Sequence, residues 1–385
     1  MPRRLLDRIT NKRELLARAF GSLGLIGLLE QIALRRPALV VLTYHRIAVP
    51  GNTSNPYYDP VISATPDAFE AQIRFLSTRF HILGLQALLN IAADKGMNAR
   101  VLLNAGKPIA LVTFDDGYRD HCETALPILR KLGVPATFFI STGFLNAARL
   151  PWWDHVACVL KRTRVPRLTL ERCPGDVDPI VINLEPTSDG QQRTMAIMTV
   201  VRSFLDGAIE DEPWFLAQLD EQAEVPIDSK SLGCELFMGS DQVRQLVDAG
   251  MSVGSHGQSH RALAGLDDSA QRHELSESKR FLESSLGLEI KALAYPFGWG
   301  DTFTARTMQL AIEAGYCLAF SSLEGVNRPG TAAFQPFALR RLNVGTVIPL
   351  LSSELGLFFM PCSGNHSFDW RRLELFLKSG GGNPG

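Results

Sequence analysis

The chain has 385 residues, 45% hydrophobic and 21% charged, a balance that excludes a disordered polymer and fits one large domain with additions, or two domains. A net charge of −1 excludes electrostatic capture of nucleic acid by the chain as a whole, and no nucleic-acid-binding module is visible. The six cysteines (Cys122, Cys158, Cys173, Cys234, Cys317, Cys362) form no C-x-x-C pair, so the expectation is reduced, mostly buried thiols and a cytoplasmic or inner-face location.

Residues 1–36 hold eight Arg/Lys against three Asp/Glu, a local +5, around the uncharged run Ala19 to Leu29. That run is shorter than the about 20 residues that span a bilayer. It also starts late and lacks an A-x-A cleavage site, unlike a signal peptide. A helical extension packed on the domain is expected, with peripheral membrane contact as the alternative. "ALVVLTYH" (38–45) reads as a buried strand. "TPDAFEAQIRFLSTRF" reads as a helix capped by Thr65 with Pro66 in its first turn. Strand 109–114 follows, then a helix closed by Gly133, then strand 136–142, an order that suggests parallel βαβ units.

Residues 150–236 break this rhythm and read as an insertion that ends in an acidic stretch, 206–228. Regular units resume with "GSDQVRQLVDAGMSVGSH", a long amphipathic helix from about Ser269, "KALAYPFG", a further helix and strand, and "FALRRLNVG". Residues 346–385 form a C-terminal tail expected to fray. Six or seven strands alternating with helices fit a parallel sheet closed into a barrel, which gathers functional residues at the C-terminal strand ends. His45, Asp115, Asp116, His256 and Pro296 to Gly298 all fall at such ends.

Asp115 and Asp116 are adjacent acids at a strand end, costly to desolvate and mutually repulsive. In isolation they suit an ordinary turn. "GSHGQSH" offers a reason to keep them: His256 and His260 at i and i+4 share one face of a helical turn and can grip one metal ion together with a carboxylate. One acid then binds the metal, and the other takes a proton from water acidified by that ion. Gly117 lets the backbone turn sharply.

TFDDG (113–117), H-x-x-x-H (256–260) and Y-P-F-G (295–298), in this order, resemble the polysaccharide deacetylases of carbohydrate esterase family 4, the NodB-homology domain. The resemblance implies an irregular (β/α)7 barrel over residues 37–345, interrupted by the insertion. It further implies a divalent metal, zinc by expectation, and removal of N-acetyl groups from amino sugars in an acetylated glycan or sugar precursor. Carried over by residue, Asp115 resembles the general base, and Asp116, His256 and His260 the metal ligands. Phe297 would line the oxyanion hole through its backbone N–H, with Tyr295 and Trp153 near the substrate. Two departures stand out. Ala294 occupies the place of the arginine that orients the base, so Arg340 or Arg341 would have to supply that charge. The C-terminal Leu-x-His is not visible, and His366 lies in the tail. His45, in "LTYHRI", resembles the Tyr-His of a branch acting on poly-N-acetylglucosamine and becomes the expected general acid. Trp152 and Trp153 would stack on a sugar or anchor the insertion, and Asp154 would bond substrate or neighbouring groups. His81, His121, His155 and His273 are expected to be structural or at the surface. Two rivals stay open: a deacylase or deformylase of a lipid-linked sugar at the inner membrane face, and a glycan-binding barrel without turnover.

Overall fold

The structure, a computed structural model, describes residues 39–49, 56–93, 107–147, 150–184, 190–209, 211–328 and 334–344. The expected extension 1–36, the tail 346–385, Cys362 and His366 therefore lie outside the described residues. Among the described residues no helix is long and apolar enough to cross a membrane.

Seven parallel strands close a barrel: β1 (Leu39–Tyr44), β5 (Ile109–Phe114), β6 (Thr137–Ile140), β9 (Ser252–Ser255), β10 (Ala292–Ala294), β11 (Leu318–Glu324) and β12 (Leu339–Asn343). β1 pairs with β12 on one side and with β5 on the other, from Leu39↔Ile109 to Tyr44↔Phe114, which completes the ring. Two short pieces, β2 (Arg46–Ile47) and β3 (Ile62–Ala64), pair beside the rim, and β4 (His81–Ile82) adds to the lower part of β5.

Alternation along the strands explains the packing. Leu39, Val41, Leu111, Phe139, Ala292, Ala294, Phe320 and Leu339 fill the barrel interior. Helix α2 (Leu85–Ala93) adds Leu85 and Leu88 to that cluster. The opposite positions, such as Val40, Leu42, Val112 and Phe138, form the outer core with the surrounding helices. The position of Gly254 admits only glycine, because a Cβ there would come within 2.5 Å of the Phe139 ring.

Helix α1 (Pro66–Arg79) starts as its sequence dictates: the Thr65 hydroxyl accepts the Ala68 N–H, and Phe69, Ile73 and Leu76 bury one stripe. α3 (Leu126–Leu132) closes at left-handed Gly133, but residues His121–Ala125 before it form a π-type turn instead of the expected continuous helix. α8 (Ser240–Asp248), α9 (Asp268–Leu286) and α10 (Ala305–Glu313), which follow the insertion in the chain, pack on the outside of the barrel.

The insertion carries its own core. It comprises α4 (Trp152–Arg162), the antiparallel pair β7 (Arg167–Leu170) and β8 (Ile180–Asn183), α5 (Gly190–Leu205), α6 (Glu212–Ala223) and α7 (Ser229–Leu236). Trp153, Val156, Leu160, Leu168, Ile182, Val200, Phe215 and Leu236 pack together and onto Tyr118 and Phe144 of the barrel loops. Of the described cysteines, Cys122 and Cys158 are buried, while Cys173, Cys234 and Cys317 are exposed, so the expectation of mostly buried thiols fails. Their sites lie on loops and helix surfaces outside both cores.

Candidate active site

The inward face of three strands runs straight into the site. On β5 the series Ile109, Leu111, Thr113 continues to Asp115, and on β1 Leu39, Val41, Thr43 continues to His45. On β12, Leu339 is followed two residues later by Arg341. Arg341 is fully buried and grips Asp115 with two parallel bonds, Nη1 to Oδ1 and Nη2 to Oδ2, both 2.8 Å. Its Nε donates to the Ser321 carbonyl at 2.8 Å. This fork-to-fork geometry holds the carboxylate plane fixed. Burial pushes the Asp115 carboxyl upward, but the facing Arg341 charge outweighs it and leaves the group below its ordinary range. The Arg340 side chain faces the other way and donates to the Glu324 carbonyl, while its backbone N–H donates to Asn327 Oδ1, so of the two candidates it is Arg341 that meets the base.

Asp116 turns out of the strand with a left-handed φ of 76°, and Gly117 follows at 94°. Such a backbone is strained for a non-glycine residue and needs surrounding structure to hold it. It swings the Asp116 carboxylate away from Asp115 and toward the two histidines. His256 Nε2 lies 3.4 Å and His260 Nε2 3.2 Å from Asp116 Oδ1. Neither approach has hydrogen-bond geometry, and this buried oxygen has no hydrogen-bond partner in the protein. One ligand atom from each of Asp116, His256 and His260 lies within 4.8 Å of the others.

The expected helical turn at 256–260 is absent. The segment is an irregular loop with left-handed Gly257 and His260, φ 73° and 55°. The histidines converge because Glu274 of α9 ties the loop down: its Oε2 accepts the N–H groups of Gln258 and Ser259, each at 2.9 Å, and Oε1 accepts the Ser259 hydroxyl. His256 Nδ1 must be the protonated nitrogen, since it bonds the Ala294 carbonyl at 2.8 Å. That leaves Nε2 as the electron-pair donor facing Asp116.

These features fit a divalent cation. The donor set is two imidazoles and one carboxylate, a common combination for zinc and related metals. Burial alone would suppress charge on His256, yet the facing carboxylates of Asp115 and Asp116 raise its affinity for a proton, so the centre attracts positive charge. Asp116, despite burial, is held well below the ordinary carboxylate range by the histidines around it.

His45 joins this centre at the same level. Its N–H donates to Ser63 Oγ at 2.8 Å, and its carbonyl accepts from His121 Nε2 at 2.6 Å. Burial lowers the His45 pKa, while Asp116 and Asp115 pull it back upward. His121, expected to be structural or at the surface, is a buried residue that holds the His45 backbone. Glu274, Ser63 and His121 had no motif of their own to announce them. Only Ser63 left a trace, a short polar residue inside the apolar run Val61 to Ala64.

Trp153 lies against His260, ring centroids 4.9 Å apart, and donates Nε1–H to the Tyr118 hydroxyl at 3.2 Å. Phe297, left-handed at φ 59°, packs its ring on His260 at 4.7 Å. Tyr295 departs from expectation. Its ring stacks on Phe303 at 4.5 Å, its hydroxyl donates to the Phe337 carbonyl, and it is fully buried in the outer core. It lies one residue past inward-facing Ala294, so strand alternation turns its side chain away from substrate. Asp154 is also fully buried: it accepts the Tyr58 N–H at 2.8 Å, and burial raises its pKa to about 7. It has no surface to offer a substrate.

Barrel and rim cluster together define a parallel α/β barrel with a candidate metal centre at the C-terminal ends of its strands. The family model for polysaccharide deacetylase matches residues 103–165 and 208–319. YxkH of Bacillus subtilis (strain 168), whose name places it with the polysaccharide deacetylases, is 20% identical over 318 residues, covering 81% of this chain and 74% of its own. Among solved structures, Streptococcus pyogenes deacetylase PplD in complex with acetate aligns with a TM-score of 0.52 at 19% identity, covering 85% of this chain and all of its own. IcaB from Ammonifex degensii aligns at 0.48 and 18% identity, covering 84% and 97%. The family model and the curated relative make the chain similar to the polysaccharide deacetylases, and PplD shares its fold. The family is one of metal-dependent hydrolases that act on acetylated carbohydrates.

Proposed function

We propose that this protein hydrolyses N-acetyl groups on amino sugars of a glycan or glycan precursor, using zinc or a similar divalent cation. The observation that carries this reading is the Arg341-clamped Asp115 beside the Asp116, His256, His260 cluster. Those three residues would hold the metal, which when bound supplies positive charge that polarises the acetyl carbonyl and acidifies water. Asp115 takes the proton from the attacking water. Arg341 keeps Asp115 ionised and in plane, so its lone pairs point one way. The Phe297 N–H receives the negative charge that develops on the carbonyl oxygen. His45, protonated, gives its proton to the departing nitrogen. Burial makes that imidazolium a stronger acid, while the nearby carboxylates let it form. The C–N bond breaks, and acetate and a free amine leave.

A binding barrel without turnover would follow from the missing arginine and the missing C-terminal histidine; Arg341 contacts Asp115 where that arginine is needed, and His45 is proposed for the histidine's role. The test is acetate release from a panel of acetylated oligosaccharides, with chelator and with added zinc. Release that chelator abolishes and zinc restores is expected. Asp115→Asn should keep metal and lose turnover; full activity in that variant refutes the base assignment, and no acetate from any substrate refutes the function. The placement at the inner membrane face is proposed alongside, and liposome flotation with and without residues 1–30 tests it: unchanged binding rules out that segment as the contact.

A further inference from the structure

Barrel pairing carries β1 only as far as Tyr44, whose carbonyl accepts the Asp115 N–H at 3.0 Å. His45 lies between β1 and β2 and belongs to neither. Side chains take both of its backbone groups: Ser63 Oγ accepts its N–H at 2.8 Å, and His121 Nε2 donates to its carbonyl at 2.6 Å. The two residues that follow are held by one carboxylate. Asp120 Oδ2 accepts the Arg46 Nε–H at 3.0 Å, and Asp120 Oδ1 accepts the Ile47 N–H at 3.2 Å. The Arg46 guanidinium also lies 5.6 Å from the centroid of the Tyr118 ring, within reach of a cation–π contact. Tyr118, Asp120 and His121 thus grip the segment His45 to Ile47 from the same loop that begins with Asp115 and Asp116.

Two observations set this grip apart from ordinary loop packing. The Arg46 and Asp120 side chains are only 10% and 14% exposed. Taking such a pair out of water costs much of what the pairing returns, so well-packed apolar residues would stabilise the fold about as well. The turn that opens at His121 is π-type, a rare form found mostly at functional sites. Barrel closure needs neither feature, since β1 and β5 are already paired through Tyr44↔Phe114.

We infer that Asp120 is a positioning residue for the general acid: through Arg46 and Ile47 it holds His45 in place opposite Asp115. This inference rests on the deacetylase reading and on His45 as its acid. The leaving group separates such a role from a merely structural one. When the amide C–N bond breaks, its electron pair stays on nitrogen, which departs as an amine after taking the His45 proton. In 4-nitrophenyl acetate the electron pair of the broken C–O bond stays on 4-nitrophenolate, which departs as the anion and needs no proton. Asp115 activates the water in both reactions. The experiment uses the full chain with zinc and compares the parent with His45→Ala, Asp120→Ala and Asp120→Asn. It measures acetate release from the acetylated oligosaccharides, 4-nitrophenolate release from the ester, and bound metal. Asp120→Ala should lower kcat on the oligosaccharides by about 10- to 100-fold, the scale of a misplaced catalytic group, with KM, ester hydrolysis and metal content unchanged. Asp120→Asn keeps an acceptor for the Ile47 N–H and loses the charge facing Arg46, so its ratio of amide to ester rates should fall between parent and alanine; it carries the test should the alanine variant not fold. Equal losses on amide and ester, or no loss on either, overturn the inference. A parent-like ratio in His45→Ala refutes the acid assignment, and no acetate from the parent on any oligosaccharide refutes the deacetylase reading; either result takes the inference with it. A ratio that drops in His45→Ala but not in the Asp120 variants overturns the inference alone.

Discussion

The barrel rim and the insertion each bury an aspartate, and they treat it in opposite ways. At the rim, Asp115 is clamped by Arg341 and held below the ordinary carboxylate range, ionised at neutral pH. In the insertion, Asp154 accepts one backbone bond, has an unpartnered second oxygen, and is pushed to about 7 by burial. One region keeps a charge inside the protein for chemistry. The other tolerates an acid within a packed apolar core. The lesson is that burial alone does not mark a functional acid; a fixed counter-charge beside a cation-attracting cluster does.

This contrast can be broken by substitution, and the largest effect should come from the rim. Asp116→Ala removes the carboxylate from the metal cluster and should lower acetate release by about a thousandfold or more, with loss of bound metal by elemental analysis. A variant that keeps both would dissolve the distinction. His45→Ala should reduce turnover by about a hundredfold or more while metal content stays intact; a rate within a few-fold of the parent would remove His45 from the acid role.

Arg341→Met leaves Asp115 buried and unpaired, at a cost of about 3–5 kcal/mol in urea unfolding. The sign is set by linkage. Asp115 has its folded-state pKa depressed, so the stability it confers is present above the unfolded value of 3.8 and is lost as pH falls through the folded value. The gap between variant and parent should therefore be widest at neutral pH and close under acid. Glu274→Ala frees the loop that brings the histidines together and should weaken metal affinity by about 10- to 100-fold, read by competition with a chelator.

Asp154→Asn should move least and in the reverse direction. A folded pKa of about 7 against 3.8 unfolded means the native state holds the extra proton, so the parent loses stability as pH rises from about 4 to 7. The asparagine variant lacks that slope, so unfolding midpoints at pH 4 and pH 8 should show it gaining on the parent at the higher pH. Matching slopes would show that Asp154 is ionised like Asp115, and the contrast between the regions would fail.

Much of the rim was legible in the chain because strand alternation and motif spacing are local. The apolar series ending in Asp115 and the pair His256, His260 needed no tertiary knowledge. Alternation also contained a choice the sequence left open: Leu339 inward makes Arg341 inward and Arg340 outward, once the direction of one residue is known. By contrast, the histidine pair suggested a helical turn, and the real loop depends on Glu274, 14 residues beyond His260 (274 − 260) and on another element. Tyr295 read as part of a motif, yet its side chain faces the outer core.

The sequence by itself determined which chemistry-bearing groups the protein has and that they fall at strand ends, because hydrophobic periodicity and turn-forming residues act over a few residues. Only the tertiary structure decided who meets whom. Arg341 reaches Asp115 across 226 positions, Glu274 shapes the ligand loop, and α5 closes a cleft against Phe297. Those contacts are set by barrel closure and by the packing of a second core, and neither leaves a periodic trace in the chain.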